Sequence, residues 1–297
     1  MTRVAILGCG YVGCELGRRL ADADDHAIWG VRRSESGLDA IERAGIEPVQ
    51  ADITEKDSLE AVPDVDWVVF AASAGGRDAE AARETYVEGV ASAIEAFGER
   101  GRSPERFVYT GSTGVYGDFG GSEVDEGTEI DPATERQEIL LEAERRALEL
   151  TGEYEMAGTV ARFGGLYGPD RYRLERYLEG PVTEGHLNLL HRDDAAGAVA
   201  FLVEQTEDLG EVVNVVDDEP VSKHRLADWL AAECGVEEPE KRTVEERLAD
   251  EDLSEAAKAR IAADKRCSNG KLRGLGYDFA YPTYREGYRD AIEAYRD

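Results

Sequence analysis

The chain has 297 residues, enough for one large or two ordinary domains with a sizeable core, and 42% of them are hydrophobic, which marks a globular protein rather than a disordered one. Its 64 acidic and 34 basic residues give a formal charge of −30, which argues against nucleic acid or an anionic membrane surface as a partner. Only six of the basic residues are lysines, and an acidic surface of this kind suits molar salt, which screens its self-repulsion, so a halophilic protein is expected.

The four cysteines, Cys9, Cys14, Cys234 and Cys267, form no C-x-x-C, and Cys9 and Cys14 read as small buried residues flanking a glycine turn. Four histidines with no H-E-x-x-H spacing predict no metal. No leader precedes the first apolar run and no run approaches membrane-spanning length, so the expectation is a cytoplasmic protein with no membrane partner.

Val4 to Leu7 reads as a buried strand ending in G-x-G-x-x-G at Gly8, Gly10 and Gly13, after which Val12, Leu16 and Leu20 recur with helical spacing. Each glycine has a reason: Gly8 permits the tight turn, Gly10 lets a pyrophosphate approach the backbone, and Gly13 lets helix and strand pack closely. The helix start, at Tyr11 and Val12, then offers N–H groups and a positive dipole end to phosphate. Ala27 to Val31 is a second strand, followed at once by Arg32 and Arg33. An acid at that place would bind the ribose 2′-hydroxyl of NAD, whereas arginine accommodates the 2′-phosphate of NADP, so NADP is the expected cofactor, with NAD as the alternative. Residues 48–51 form a third strand closed by Asp52 and Ile53. Asp66 to Ala72 is a fourth, apolar on both faces as a covered parallel strand should be, with Ala71, Ala72 and Ser73 at its end and a flexible turn over 73–76.

Asp78 to Phe97 reads as one long helix, and Arg106 to Thr110 as a fifth strand running into Ser112, Thr113 and Tyr116. Thr134 to Leu150 is a charged helix, Thr159 to Phe163 a sixth strand, Arg171 to Leu178 a short helix, and His191 to about Gln205 another. Glu211 to Val216 is a last strand, Val221 to Cys234 a helix, Val244 to Ala263 a charged helical stretch, and the tail ends in an amphipathic helix after Pro282. Strands alternating with helices predict an α/β fold with a doubly wound parallel sheet of Rossmann type and a smaller C-terminal substrate lobe. The expected division is a nucleotide-binding domain over 1–163, its sheet completed by 186–216, and a substrate-binding lobe over 164–297. Ligands of such sheets bind beyond the carboxyl ends of the strands, the edge that collects Gly8–Gly13, Arg32, Ala71–Ser73 and Ser112.

The glycine motif, Asp52-Ile53, Ala71-Ala72-Ser73, Ser112 with Val115-Tyr116-Gly117, Leu166-Tyr167-Gly168-Pro169, His191-Arg192-Asp193-Asp194 and Asn214-Val215-Val216 together resemble the extended branch of the short-chain dehydrogenase/reductases, the epimerases and dehydratases among them. The resemblance implies a serine at Ser112 that binds the substrate oxygen. It also implies a tyrosine acid/base with a lysine four residues later, and that pair is absent. Alignment puts Arg136 at the tyrosine and Leu140 at the lysine. No lysine occurs between Lys56 and Lys223, and no tyrosine between Tyr116 and Tyr154. A guanidinium does not shuttle protons. Two further departures are Leu7 in place of an earlier first glycine, and Tyr86 in place of the asparagine of N-V-x-G-T. The chain thus resembles an atypical subgroup that keeps the cofactor site without the usual catalytic pair.

Acid/base work needs a titratable group within reach of the reacting oxygen, so Ser112, Thr113, Tyr86 and Tyr116 are the catalytic candidates, against a reading in which both tyrosines only pack and bind ligand. Arg136, Arg162 and Arg171 are candidates for an anionic substrate, against surface ion pairs. His191 and the two aspartates after it read as a helix start with an aspartate cap. Two functions remain open: an NAD(P)-dependent oxidoreductase or epimerase-like enzyme acting on a small hydroxylated or sugar-nucleotide substrate, or a non-catalytic NADP-binding redox sensor. The long helices at 78–97 and 134–150 resemble surfaces through which this superfamily forms homodimers.

Overall fold

The computed structural model describes residues 1–23, 26–75, 78–204, 211–250 and 252–297. The N-terminal half alternates β1 (Thr2–Leu7), α1 (Tyr11–Asp22), β2 (His26–Arg32), α2 (Glu35–Arg43), β3 (Glu47–Gln50) and β4 (Trp67–Phe70). Two short helices, α3 (Ala79–Arg83) and α4 (Gly89–Gly98), lead to β5 (Arg106–Ser112), and α5 (Glu135–Glu153) follows. One seven-stranded sheet runs Val212–Val215, Ala157–Phe163, β5, β4, β1, β2, β3. The pairings of β1 with β2 and β4, of β2 with β3 and of β4 with β5 are all parallel. This is the doubly wound Rossmann order, and its direction reverses between β1 and β4.

The local causes are plain in the side chains. Val4, Ala5, Ile6 and Leu7 are each fully buried, as a strand covered by helices on both faces must be. Val12, Leu16 and Leu20 form the buried face of α1. Gly13 and Gly17 let that helix come down onto the sheet: a Cβ on Gly17 would lie 2.2 Å from Ile46 Cδ1, and one on Gly13 3.0 Å from Ile6 Cγ2.

The chain forms two compact units. The first comprises Met1–Ser112, Glu135–Arg162 and Ala195–Val213, and the second Thr113–Thr134, Phe163–Asp194 and Asn214–Asp297. Leu7, Val68, Phe70, Ile94, Phe97, Phe107 and Ile139 lie in the core of the first. Tyr167, Leu189, Leu226, Leu230, Tyr284 and Tyr288 lie in that of the second, with Tyr167 stacked on Tyr288 at 4.9 Å between centroids.

Two expected helices are interrupted. The helix expected over 78–97 is broken by a π turn at Glu84–Glu88, where the Gly89 N–H donates to the Glu84 carbonyl five residues back. The stretch 244–263 is two helices, Val244–Leu248 and Glu255–Ala262, the second started afresh by Ser254, whose hydroxyl accepts from the Ala257 N–H. Gly76, Gln205 and Glu251 lie outside the described residues. No helix among the described residues is long and apolar enough to cross a membrane.

Because Leu16 has no exposed surface and packs where two glycines bring α1 onto the sheet, Leu16→Ala is expected to lower the unfolding free energy by about 2–5 kcal/mol. Denaturant unfolding at fixed salt measures this. A change below about 0.5 kcal/mol, the range of a surface position, would mean that α1 is not seated as described.

Candidate functional site

Gly8 leaves β1 with φ of 77°, and a Cβ there would stand 2.3 Å from Ala72 Cα. Only glycine fits so close to the neighbouring backbone. The N–H groups of Gly8 and Cys9 both donate to the Val31 carbonyl at 3.1 Å, and the Ala71 N–H donates to the Leu7 carbonyl at 2.8 Å. The turn is thereby tied to β2 on one side and to the exit of β4 on the other. Gly10 caps α1, which has no side-chain cap and no acid in its first turn. A helix start of this kind carries a positive dipole end that favours an anion. Tyr11 and Val12 open the helix, Tyr11 partly exposed and Val12 buried.

Arg32, half-buried at the end of β2, lies between two glycines. A Cβ on Gly10 would be 2.5 Å from Arg32 Nη1, and one on Gly37 2.9 Å from Arg32 Nε. Arg33 points outward, its side chain 80% exposed, with Nη1 3.2 Å from Asp52 Oδ2. Burial opposes ionisation of Asp52, but the Thr54 N–H and hydroxyl and the Arg33 charge outweigh it and hold the carboxyl below its usual range. Ile53 and Ala72 pack against the core of unit one, and Ser73 is exposed.

Tyr86 sits inside the π turn, and its hydroxyl oxygen accepts from the Ala74 N–H at 3.2 Å. A single π turn within a helix often accompanies a functional residue, and here it presents the phenol to the exit of β4. Ser112 ends β5, the strand paired with β4, and Thr110 Oγ1 donates to the Phe70 carbonyl across the same edge at 3.2 Å.

Thr113 and Tyr116 are taken up inside unit two. Thr113 Oγ1 donates to the Phe163 carbonyl at 3.1 Å. The Tyr116 hydroxyl lies 2.9 Å from the Asp125 carbonyl and 3.0 Å from Asn214 Oδ1, and Asn214 in turn donates to the Ser268 carbonyl. Arg162 departs from the expectation of a substrate clamp. Its Nε and Nη2 donate to the Glu144 carboxylate at 2.9 and 2.6 Å, with both side chains about 5% exposed. Burial raises the Glu144 pKa against the pull of Arg162. Glu144 also closes over the backbone at Gly111, where a Cβ would be 3.2 Å from its Oε1. Arg136 and Arg171 are exposed, whereas Leu140, at the lysine's aligned place, is buried.

The residue before the helix Arg192–Glu204 is His191, whose Nδ1 accepts from the Asp193 N–H at 3.2 Å, while Asp194 serves the fold elsewhere. The Asp194 carboxylate accepts from the Ala280 and Tyr281 N–H groups at 2.8 Å each and from the Tyr277 hydroxyl, so it pins the tail of unit two. The His191 ring lies 3.8 Å from that of Tyr281, tilted by 31°.

Unit two also holds polar groups that sequence reasoning missed. Lys265 Nζ donates to the Gly117 carbonyl and Lys223 Nζ to that of Glu184, while His186 Nδ1 lies 3.0 Å from Asp264 Oδ1. Burial pushes both lysines below their ordinary pKa even though Asp264 pulls the other way. The available signal was scarcity, since six lysines in a chain this acidic invite a question about each one.

The profile of the NAD dependent epimerase/dehydratase family matches residues 4–215. The chain belongs to that family. It is 27% identical over 290 residues to Protein YeeZ of Escherichia coli K12, covering 95% of this chain and 97% of that one. A functionally unknown conserved protein from Silicibacter pomeroyi is 26% identical, with TM-score 0.76 over 99% of both chains. The dTDP-glucose 4,6-dehydratase DesIV of Streptomyces venezuelae, a double mutant with NAD and DAU bound, superposes with TM-score 0.80 over 100% of this chain and 97% of its own. At 18% identity that likeness speaks for the fold.

Glu144→Gln is expected to cost about 3–5 kcal/mol by stranding the Arg162 charge, whereas an apolar pair of similar volume, E144M with R162L, should restore most or all of it. Denaturant unfolding of the single and double variants decides this. A single variant as stable as the parent would remove the pair from the core.

Proposed function

We propose that the chain is an NADP-dependent oxidoreductase of this family, holding the dinucleotide on the Gly8–Gly13 turn and acting on a small hydroxylated or sugar-nucleotide substrate. The observation that carries the reading is Arg32, its guanidinium lying between Gly10 and Gly37 at the end of β2. That is the place where a doubly wound fold meets the adenosine ribose, and a planar fork of donors suits a 2′-phosphate there. Arg33 lies beside it with Asp52 below. Gly8 and Gly10 leave the turn without Cβ atoms, and the uncapped start of α1 supplies N–H groups, so the residues present fit a pyrophosphate.

The cofactor, when bound, supplies hydride exchange at its nicotinamide ring. The protein's own contribution is to position and to move a proton. The Tyr86 oxygen is oriented by the Ala74 N–H, which leaves its O–H to donate to a substrate oxygen, and Ser112 at the end of β5 donates to the same oxygen. Arg136 and Arg171 are the proposed contacts to an anionic substrate, with unit one as the nucleotide domain and unit two as the substrate lobe. The protein is proposed to work in the cytoplasm at molar salt, with no nucleic acid or membrane partner, and to pair two copies through the helical stretches over 78–97 and 134–150.

The second reading, an NADP-binding redox sensor without turnover, is favoured by one observation: the lysine's position is a buried leucine, Leu140.

Equilibrium titration tests the cofactor site, and turnover separates the two readings. Arg32→Ala is expected to weaken NADPH binding about tenfold or more, the worth of a charge-assisted hydrogen bond, and to leave NADH binding unchanged. Equal losses for both nucleotides would refute a 2′-phosphate role. Tyr86→Phe should keep NADPH affinity and lower turnover about 10²–10⁴-fold. Full turnover in that variant removes Tyr86 from catalysis. NADPH binding with no turnover across a panel of carbonyl compounds and sugar nucleotides establishes the sensor.

A further inference from the structure

Cys9 and Cys14 are five residues apart, one in the glycine turn and the other in the first turn of α1, and their sulfurs face each other at 3.9 Å. Cys14 Sγ is also 3.6 Å from the Cys9 carbonyl. Cys9 is 1% exposed, wedged where a Cβ on Gly30 would be 2.9 Å from its sulfur, while Cys14 is partly open to solvent. The pair is thus asymmetric, one thiol sealed and one reachable.

We propose that Cys9 and Cys14 form an oxidative modification site, in which a hydroperoxide converts the two thiols into an intramolecular disulfide across the glycine turn and so shuts the turn to dinucleotide. The Cys14 thiolate attacks the peroxide; its sulfur takes one oxygen as a sulfenic acid, the O–O bond breaks and hydroxide leaves. The Cys9 sulfur then attacks that sulfur: the S–S bond forms, the S–O bond breaks, and the Cys9 proton departs with the hydroxyl as water. Two electrons pass to the peroxide and each sulfur gives one. The sulfurs must close from 3.9 Å to about 2.05 Å, which ties the turn to the first helical residues across Gly10 and Gly13.

The surroundings favour this order of events. The hydrogen bond shared with Cys9 and, with burial opposing, the Arg32 charge from β2 and the Arg43 charge from α2 bring the Cys14 thiol down to about 7. The same hydrogen bond and burial push Cys9 up, so it keeps its proton until the second step. The nearest acid on α1, Glu15, is engaged by Arg18 and Arg19. Nucleophilic attack requires the thiolate, which makes Cys14 the attacking residue and Cys9 the resolving one. Cys234, whose thiol burial raises, serves as an internal comparison.

The blocking of dinucleotide rests on the cofactor reading above; formation of the disulfide does not. The reduced full-length chain is treated with stoichiometric hydrogen peroxide, alkylated and mapped by mass spectrometry. The expected product has lost two hydrogens and carries a Cys9–Cys14 link. In Cys9→Ser, Cys14 should instead persist as a sulfenic acid trapped by dimedone. The alkylation rate of Cys14 should titrate with a midpoint near pH 7, well below that of Cys234. Absence of the link in the folded wild-type protein, or a link to Cys234 or Cys267 in its place, overturns the proposal without recourse to any variant. Oxidised protein should bind NADPH at least tenfold more weakly than reduced protein, and Cys14→Ser should not respond to peroxide. A disulfide that forms and leaves NADPH affinity intact overturns the blocking step. A protein that binds no nucleotide in either state refutes the cofactor reading, and with it the blocking step, while the link itself stands.

Discussion

Gly8 and the backbone of Ala72 approach more closely than any side chain would allow, and the ligand edge of unit one depends on that approach. β1 and β4 are neighbours across the point where the strand order reverses, and both leave the sheet at the same level. With a Cβ at Gly8, one of the two exits would have to move. The N–H groups of Gly8 and Cys9, both on the Val31 carbonyl, and the Ala71 N–H on the Leu7 carbonyl would then be stretched or misaligned. The turn therefore ties the ends of three strands together, and α1 starts from it without a side-chain cap.

Much of this was legible because it is local. The apolar run before the glycines, the helical spacing after them and the arginines ending β2 are separated by few residues, and each has one physical reading. The sheet followed from alternation. What the sequence hid is whatever depends on distant partners. Arg162 read as a candidate for an anionic substrate or a surface ion pair, and Glu144 as one more charge on a charged helix; their burial against each other appears only when α5 lies against the strand Ala157–Phe163. Tyr116 sits in a motif that suggests chemistry, yet its hydroxyl is held by Asp125 and Asn214, the second 98 residues away. Asp194 looked like a helix cap and instead holds the backbone of residues 280 and 281. The π turn at Tyr86 has no residue signature, because a single extra residue in a helix is set by packing on both sides of it.

The loss of the tyrosine and lysine has a counterpart in how α5 is filled. Leu140 is buried at the lysine's place, and one turn further on Glu144 reaches the backbone at Gly111, next to the serine that ends β5. A lysine at 140 would carry its charge into a position where Leu140 is buried, which is disfavoured strongly unless the charge is paired. The helix keeps its position by different means: an apolar layer first, then a buried ion pair whose value lies in orientation more than in net stability. This arrangement preserves the carboxyl edge of β5 while removing the group that tuned the tyrosine, and any proton transfer must then come from another element. Tyr86, on the neighbouring helix segment with its hydroxyl accepting from the Ala74 N–H, is the group we propose for it within the same unit.

Charge sets the remaining condition. At a formal −30 the chain repels anions at long range, and a dinucleotide is an anion. In molar salt, however, the screening length falls to about 3 Å, so the global field is erased and only groups in direct contact discriminate. An exposed lysine would be screened along with everything else. Arg32 differs, because its guanidinium is half-buried between the backbones of Gly10 and Gly37, where counter-ions have restricted access and its planar donors are already oriented. The same guanidinium contributes the charge that favours the Cys14 thiolate. A phosphate seated on Arg32 would neutralise that charge and raise the thiol again, so a bound dinucleotide and an oxidisable Cys14 are opposed by electrostatics even before any disulfide narrows the turn.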